Sequence, residues 1–368
     1  MLLKALSIQT IPKAAMRPNL HYYFYLLLII LFINNSNCSA QDTQFSQYYA
    51  TPLYLNPALT GSSEETRAIV NYRNQWVGLP SSITSFMASF DHKFKYKSFA
   101  LGGYIKQDNY GVNEGTPLKH NEIIASGSYT IGITKYMGLN LGLQVGYGQN
   151  RLDRSALVFN DQLDSFGFTG ATTNEPFVTD QVSYADVSTG AMFFGEKYWA
   201  GVSIFHLTQP NISFLGEQAY LPVRFAFEAG YKIPLEYKGH YSHIPNYRRK
   251  SLTLAMHYQS QGKNDQLSLG AYFHYQPLLF GVWYRGLPLL KESEKDNAIN
   301  HDAIVLLTGI KVANFNFGYS YDITLSDLPQ QHANSHEISL QYTFNLYKDY
   351  RKKPKRKPLE LSCPSPNL

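Results

Sequence analysis

The sequence predicts an all-β protein: a transmembrane antiparallel β-barrel of about fourteen strands, with short periplasmic turns and longer external loops. Three observations carry this. In Phe315-Asn316-Phe317-Gly318-Tyr319-Ser320-Tyr321-Asp322 every odd position is aromatic and every even one is small or polar, and Ile338–Phe344 alternates likewise. Period-two alternation makes a strand with two unlike faces. Such stretches recur in pairs from Thr66 onward, with no helical segment of comparable strength between them. Aromatics make up 15% of the chain and charged residues only 16%, and the 29 tyrosines suit an interface facing lipid headgroups. A mean hydropathy of −0.27 excludes a helical membrane bundle but fits strands with one face in water.

Residues 1–40 read as a secretory signal. The apolar run Tyr22–Ile33 is short for a membrane span, and Cys38-Ser39-Ala40 supplies small residues for cleavage near Ala40. Met16-Arg17 makes a more conventional start than Met1. Acylation of Cys38 is the alternative, against which Asn35 and Asn37 stand. With Cys38 removed, Cys363 is the last cysteine and an internal disulfide is excluded.

Residues 41–65 read as an ordered periplasmic segment with a place in the barrel mouth, a flexible leader being the alternative. Pro52, Pro57 and Asn56 argue against a strand there, while its large apolar groups argue for packing.

The barrel is expected over 66–346. Its strands are Thr66–Trp76, Thr84–Lys93, Ser98–Gln107, Glu122–Ile133, Leu139–Gln149, Ser183–Phe194, Tyr198–His206, Val223–Ile233, Ser251–Tyr258, Leu267–Gln276, Leu278–Arg285, Ala303–Lys311, Phe315–Asp322 and Ser335–Asn345. Most reach the roughly 9–11 residues a tilted strand needs to cross. Short connections near Tyr96, Lys135, Gly195, Pro277 and Ala313 alternate with long ones at 108–121, 150–182, 207–222, 286–302 and 323–334. Pro234–Lys250 breaks the rule, being periplasmic by parity yet long. An even strand count places both barrel ends in the periplasm. Closure follows from the solvent: lipid offers backbone groups no hydrogen-bond partners.

Inward positions carry Arg67, Arg73, Asp91, Arg224, Glu228, Arg285, Asp322 and Glu337, expected to pair across the lumen and, if unpaired, to favour a wet channel. Gly142, Gly146, Gly148, Gly270, Gly281 and Gly318 also fall inside, relieving crowding or making room for a plug. Residues 347–368 form a basic periplasmic tail with seven Lys or Arg from Lys348 to Lys357, read as a solvated tail or a docking element. It sits on no folded reading surface, so nucleic acid is not an expected partner.

No residue set points to catalysis or a cofactor. Gly146-Tyr147-Gly148 is followed by no helix, His336-Glu337 lacks a second histidine at zinc spacing, and nothing places a nucleophile beside a base. Asn160, Asp161, Gln162 and Asp164 are too sparse in carboxylates for a calcium claim.

QFSQYYATPLYLNPALTG (Gln44–Gly61), YRNQW (Tyr72–Trp76), FHLTQPN (Phe205–Asn211), WYR (Trp283–Arg285), GYSYD (Gly318–Asp322) and SHEISLQYTF (Ser335–Phe344) occur in that order along the chain. Together they resemble the PorP/SprF family of Bacteroidota outer-membrane proteins. The resemblance implies a barrel of the type IX secretion system that assists export or surface attachment of large cargo such as gliding adhesins. The implied partners are outer-membrane lipid, periplasmic secretion components and the secreted cargo. The basic tail after Phe344 departs from the family pattern. Within this frame Arg73, Trp76, Asp322, His336 and Glu337 are the candidate partner-binding residues, barrel-rim structure being the alternative. The competing function is a porin or transporter for small solutes, with 150–182 as its constricting loop; an outer-membrane lipase ranks third.

Overall fold

The structure, a computed structural model, describes residues 42–63, 65–94, 97–165, 167–171, 173–174, 177–235, 250–286, 302–325 and 333–346. The stretch read as a signal, the basic tail with Cys363 and most of the connections 234–250, 286–302 and 323–334 lie outside the described residues.

The strands are β1 (Thr66–Gln75), β2 (Ile83–Lys93), β3 (Phe99–Tyr110), β4 (Leu118–Gly132), β5 (Gly138–Leu152), β6 (Leu163–Asp164), β7 (Gly167–Phe168), β8 (Gln181–Phe194), β9 (Tyr198–Phe205), β10 (Arg224–Pro234), β11 (Lys250–Gln261), β12 (Asn264–Tyr275), β13 (Leu278–Arg285), β14 (Ala303–Val312), β15 (Phe315–Thr324) and β16 (Ser335–Phe344). β6 and β7 form a small hairpin in the loop between β5 and β8; the other fourteen close into one antiparallel barrel in chain order. β1 seals it against β16, from Thr66 opposite Phe344 to Asn74 opposite His336.

Alternation is why these residues make a barrel. Val70, Tyr72, Phe86, Phe90, Leu101, Ile105, Leu141 and Leu143 point outward and are exposed, forming the apolar band that lipid covers. Arg67, Asn71, Arg73, Ser85, Ser89 and Asp91 alternate with them and are buried. Tight turns, such as 195–197, 276–277 and 313–314, gather at the end of the barrel where Thr66 and Phe344 lie; call it the turn end. The opposite, loop end carries the segments at 111–117, 153–180 and 206–223.

Two stretches depart from the alternation. β3, β4, β5 and β8 run beyond the predicted ends, to Tyr110, from Leu118, to Leu152 and from Gln181. There the outward positions are Lys119, Asn121, Gln149, Arg151, Gln181 and Ser183, polar on a face that is apolar lower down. A hydrophobic-pattern reading stops where the band stops, although the hydrogen-bonded ladder continues. β11 and β12 likewise continue to Gln261 and from Asn264, joined by Gly262-Lys263, with Gly262 at φ 58°.

Candidate functional site

The lumen is occupied by the chain's own N-terminal segment, Asp42–Ser63. Pro52 and Pro57 start short helical turns, Pro52–Leu55 and Pro57–Leu59, where a missing N–H costs nothing. Asn56 joins them, its side chain capping the second turn by accepting from the Ala58 N–H at 2.8 Å. Gln47, Leu53, Asn56, Ala58 and Leu59 are fully buried. The stretch expected in the barrel mouth thus threads the barrel, from Asp42 at the loop end to Gly61 at the turn end.

At the loop end, Asp42 pairs with Arg224 at 2.8 Å and with His206 Nε2 at 2.8 Å. His206 follows the end of β9 in a left-handed conformation, φ 60°, and its Nδ1 lies 2.9 Å from Asp186. Burial works against the imidazolium, but Asp42 and Asp186 push the His206 pKa up to about 9, so both ring nitrogens carry protons and donate. Burial would likewise raise the Asp42 carboxyl, but the His206 and Arg224 charges hold it well below the usual range. Next, the Thr43 hydroxyl donates to Asp108 at 2.9 Å. Asp108 pairs with Lys106 at 3.1 Å, and Lys106 also reaches Glu122 at 3.4 Å.

Ser46 is the centre of the next layer. Its hydroxyl donates to Asp322 at 2.6 Å and accepts from Arg73 at 2.7 Å and Arg285 at 2.6 Å. Its backbone N–H donates to Glu337 at 2.6 Å. Arg73 pairs with Asp322 at 2.7 Å and with Glu337 at 3.4 Å. Gln47 Nε2 donates to the Glu337 carbonyl at 2.9 Å, and Gln47 Oε1 accepts from Tyr49 at 3.0 Å and Ser339 at 2.5 Å.

Toward the turn end the wall meets the segment's backbone. Gln144 donates to the Leu53 carbonyl at 2.7 Å, Asn140 to the Ala58 carbonyl at 2.5 Å and Ser128 to the Thr60 carbonyl at 2.7 Å. The Gly61 N–H donates to Asp91, which Arg67 holds at 2.9 Å. Asn56 Nδ2 donates to Glu228 at 2.7 Å. Leu55, Ala58 and Leu59 pack with Met192, Phe194 and Trp199, and Phe45 and Leu53 pack with Met87, Tyr104 and Ile124. A fully buried leucine contributes roughly 1.5–3 kcal/mol over an exposed one.

This resolves two open readings. At Gly142 and Gly318 a Cβ would overlap Pro57-Ala58 and the Tyr49 hydroxyl, so these glycines make room for the segment; Gly190 does the same for Asn56. At Gly148, Gly270 and Gly281 the space is taken by Tyr184, Trp283 and Tyr272 of the wall, which is relief of crowding. The inward charges expected to pair across the lumen pair instead along the wall, with the adjacent strand or the next but one, and with the segment, as Arg67 does with Asp91, Arg73 and Arg285 with Asp322, and Arg224 with Asp42. A segment in the middle makes pairing across an open lumen unnecessary.

Of the five predicted site residues, Arg73, Asp322 and Glu337 come together around Ser46. Trp76 lies just past β1 at the loop-end rim, its backbone N–H donating to the Ser335 hydroxyl at 3.3 Å. His336 faces outward, hydrogen-bonded to the Tyr319 hydroxyl at 2.8 Å. Sequence reasoning missed Asp42, Lys106, Asp108, Glu122, Asp186 and His206. Strand parity would have placed Asp186 inside, between inward Tyr184 and Ser188; nothing local marks Asp42.

His206 is closed off as a base, because a carboxylate occupies each ring nitrogen. Asp161 of the long loop accepts from the Thr173 hydroxyl and the Asn174 N–H, at 2.9 and 2.6 Å. Among the described residues no group of three or more His, Cys, Asp or Glu is arranged to hold a metal ion.

The motifs that carried the family resemblance converge here. Gln44–Gly61 is the segment; YRNQW supplies Arg73, FHLTQPN supplies His206, and WYR supplies Arg285 and Trp283, whose ring lies 4.8 Å from that of Tyr48. GYSYD supplies Gly318 and Asp322, and SHEISLQYTF supplies Glu337 and Ser339.

The model of the family described as type IX secretion system membrane protein PorP/SprF matches residues 37–342. No curated protein matches the chain. Among solved structures, the chain is similar to a FadL homologue of Pseudomonas aeruginosa at 12% identity, covering 81% of this chain and 94% of that one with a TM-score of 0.46. It is similar to the Pseudomonas putida toluene transporter TodX at 9% identity, covering 83% and 95% with a TM-score of 0.42. BamA of Haemophilus ducreyi, lacking POTRA domains 1–3, is similar at 10% identity, covering 76% and 70% with a TM-score of 0.39.

Proposed function

The chain belongs to the PorP/SprF family of type IX secretion system membrane proteins, and from that membership we propose that it is a non-enzymatic outer-membrane component that assists export or surface attachment of large cargo such as gliding adhesins. The observation that carries this reading is the filled lumen. A segment held along its whole length by buried charges, backbone hydrogen bonds and apolar packing fills the lumen among the described residues, which counts against threading of a polypeptide and equally against free diffusion of small solutes. The working parts are then the two faces of the barrel: loops on the cell-surface side and turns on the periplasmic side.

The test is affinity purification from gently solubilised outer membranes of the native host, with mass spectrometry of what co-purifies. Secretion-system proteins or one large repetitive surface protein are the expected result. A barrel that emerges alone and conducts small solutes in a planar bilayer would overturn the reading in favour of a porin.

A further inference from the structure

Resting on that reading, we propose that the packed loops 153–180 and 207–222 are the docking surface for the cargo protein, and that they take a basic protein surface with an apolar patch.

The first observation is where these loops stand. β4, β5 and β8 are 15, 15 and 14 residues long, against the roughly 9–11 needed to cross. Their last outward side chains before the loops are polar, Lys119, Arg151, Gln181 and Ser183. The lipid-facing band therefore ends below loop 153–180; loop 207–222 leaves the shorter β9 beside Val187 and climbs to join it where Phe214 meets Val178.

The second is that the loops are built, not loose. The Val178 N–H donates to the Phe214 carbonyl at 3.0 Å, and Ile212 to the Ala219 carbonyl at 2.9 Å. Arg154 pairs with Asp180 at 2.7 Å and lies over the Phe177 ring. Asp153 N–H bonds the Pro117 carbonyl of the neighbouring loop at 2.7 Å.

The third is what this platform shows to water. Val178 is 72% exposed, Phe168 60% and Val158 58%, and Leu163, Leu215 and Tyr220 are exposed beside them. Apolar side chains held out of both lipid and core mark an interaction site. The charge around them names the chemistry of the occupant. Among the described residues the two loops carry Asp153, Asp161, Asp164, Asp180 and Glu217 against Arg154, which Asp180 pairs, with Lys119 and Arg151 on the strand ends beneath Asp153, so the surface is acidic on balance. Exposed apolar side chains on loops of net acidic charge complement a basic surface with an apolar patch.

The experiment compares four strains of the native host: wild type, a deletion, Phe168→Ser/Val178→Ser/Leu215→Ser, and Asp164→Lys/Glu217→Lys. Barrel assembly is read from heat-modified gel mobility, and surface proteins from trypsin shaving of intact cells against the culture medium. A photoreactive residue in place of Phe168 reports contact. With normal barrel levels, both variants are expected to move the same large protein from cells to medium as the deletion does, at least tenfold. The residue-168 crosslink should land on that protein, in a peptide containing Lys or Arg. Variants that match wild type while the deletion loses the protein would overturn the docking surface alone. So would crosslinks only to lipid or to a second copy of this chain. A deletion without effect would overturn the secretion reading, and the inference with it.

Discussion

The two halves of the lumen segment are held in different ways. From Asp42 to Gln47 the grip is ionic: Asp42 between His206 and Arg224, and Ser46 among Arg73, Arg285, Asp322 and Glu337. From Leu53 to Gly61 no ion pair holds the segment: besides hydrogen bonds to its backbone and to Asn56, the grip is shape, with close approach at Gly142 and Gly190 and leucines against Met192, Phe194 and Trp199. An ionic grip in a dry interior is stable only while every charge keeps its partner, so it fails abruptly. A shape grip yields by degrees, because a mispacked contact costs only its own area and strain.

The largest break in the ionic half comes from Arg73→Ala. It leaves Asp322 and Glu337 buried with one cation fewer, at a cost of about 3–5 kcal/mol. Urea unfolding of the purified barrel in detergent should show it, while His336→Leu on the lipid face should stay within about 0.5 kcal/mol of the native protein.

Raising the pH tests the same half at its outer end. His206 has a raised pKa, so its contribution is fully present below its ordinary value of 6.5 and is lost as pH rises through about 9. The loss should be on the order of 2–3 kcal/mol. Thermal melts from pH 7 to 10 should fall accordingly, and His206→Gln should flatten the profile. Asp42, whose pKa is lowered, contributes stability above its ordinary 3.8 that is lost only as pH falls below that value.

The shape half is tested by Gly190→Val. Its side chain would occupy the position of the Asn56 amide, which bonds Glu228 at 2.7 Å. The expected cost is smaller, about 1–3 kcal/mol. A partly unseated segment should also raise the variant's single-channel conductance in planar bilayers above that of the native protein.

The difference between the halves also explains what the sequence could disclose. The barrel was legible because lipid enforces alternation: each of the fourteen strands announces its outward face. Strand ends at the loop side were not, because β4 and β5 leave the lipid with polar residues on both faces. In the lumen, strand parity marked Arg73, Asp322 and Glu337 as inward. That they meet was hidden, because it depends on the stagger of β1, β15 and β16 and on Ser46 lying between them. The assumption of a polar interior also hid the shape half. Ile69, Met87, Met192, Leu279 and Val305 are inward and buried, since they face a segment rather than water. Prolines and large apolar groups in Gln44–Gly61 pointed to a packed element, and the inward glycines pointed to something needing space. Their partnership was beyond reach, because the residues that meet lie far apart in sequence.

That separation bears on how the molecule is made. Ser46 and Gln47 are bonded to Glu337, 291 and 290 positions later, on the strand that closes the barrel against β1. The first stretch of the described chain therefore acts as a mandrel around which the sheet wraps. It cannot be gripped fully until the last strand arrives, since Glu337 and Ser339 of that strand hold Ser46 and Gln47. Seating and closure become one late step of very high contact order, which physics makes slow. An assembly intermediate should accordingly be an open sheet with an unsecured N-terminal end, and not a closed, empty barrel.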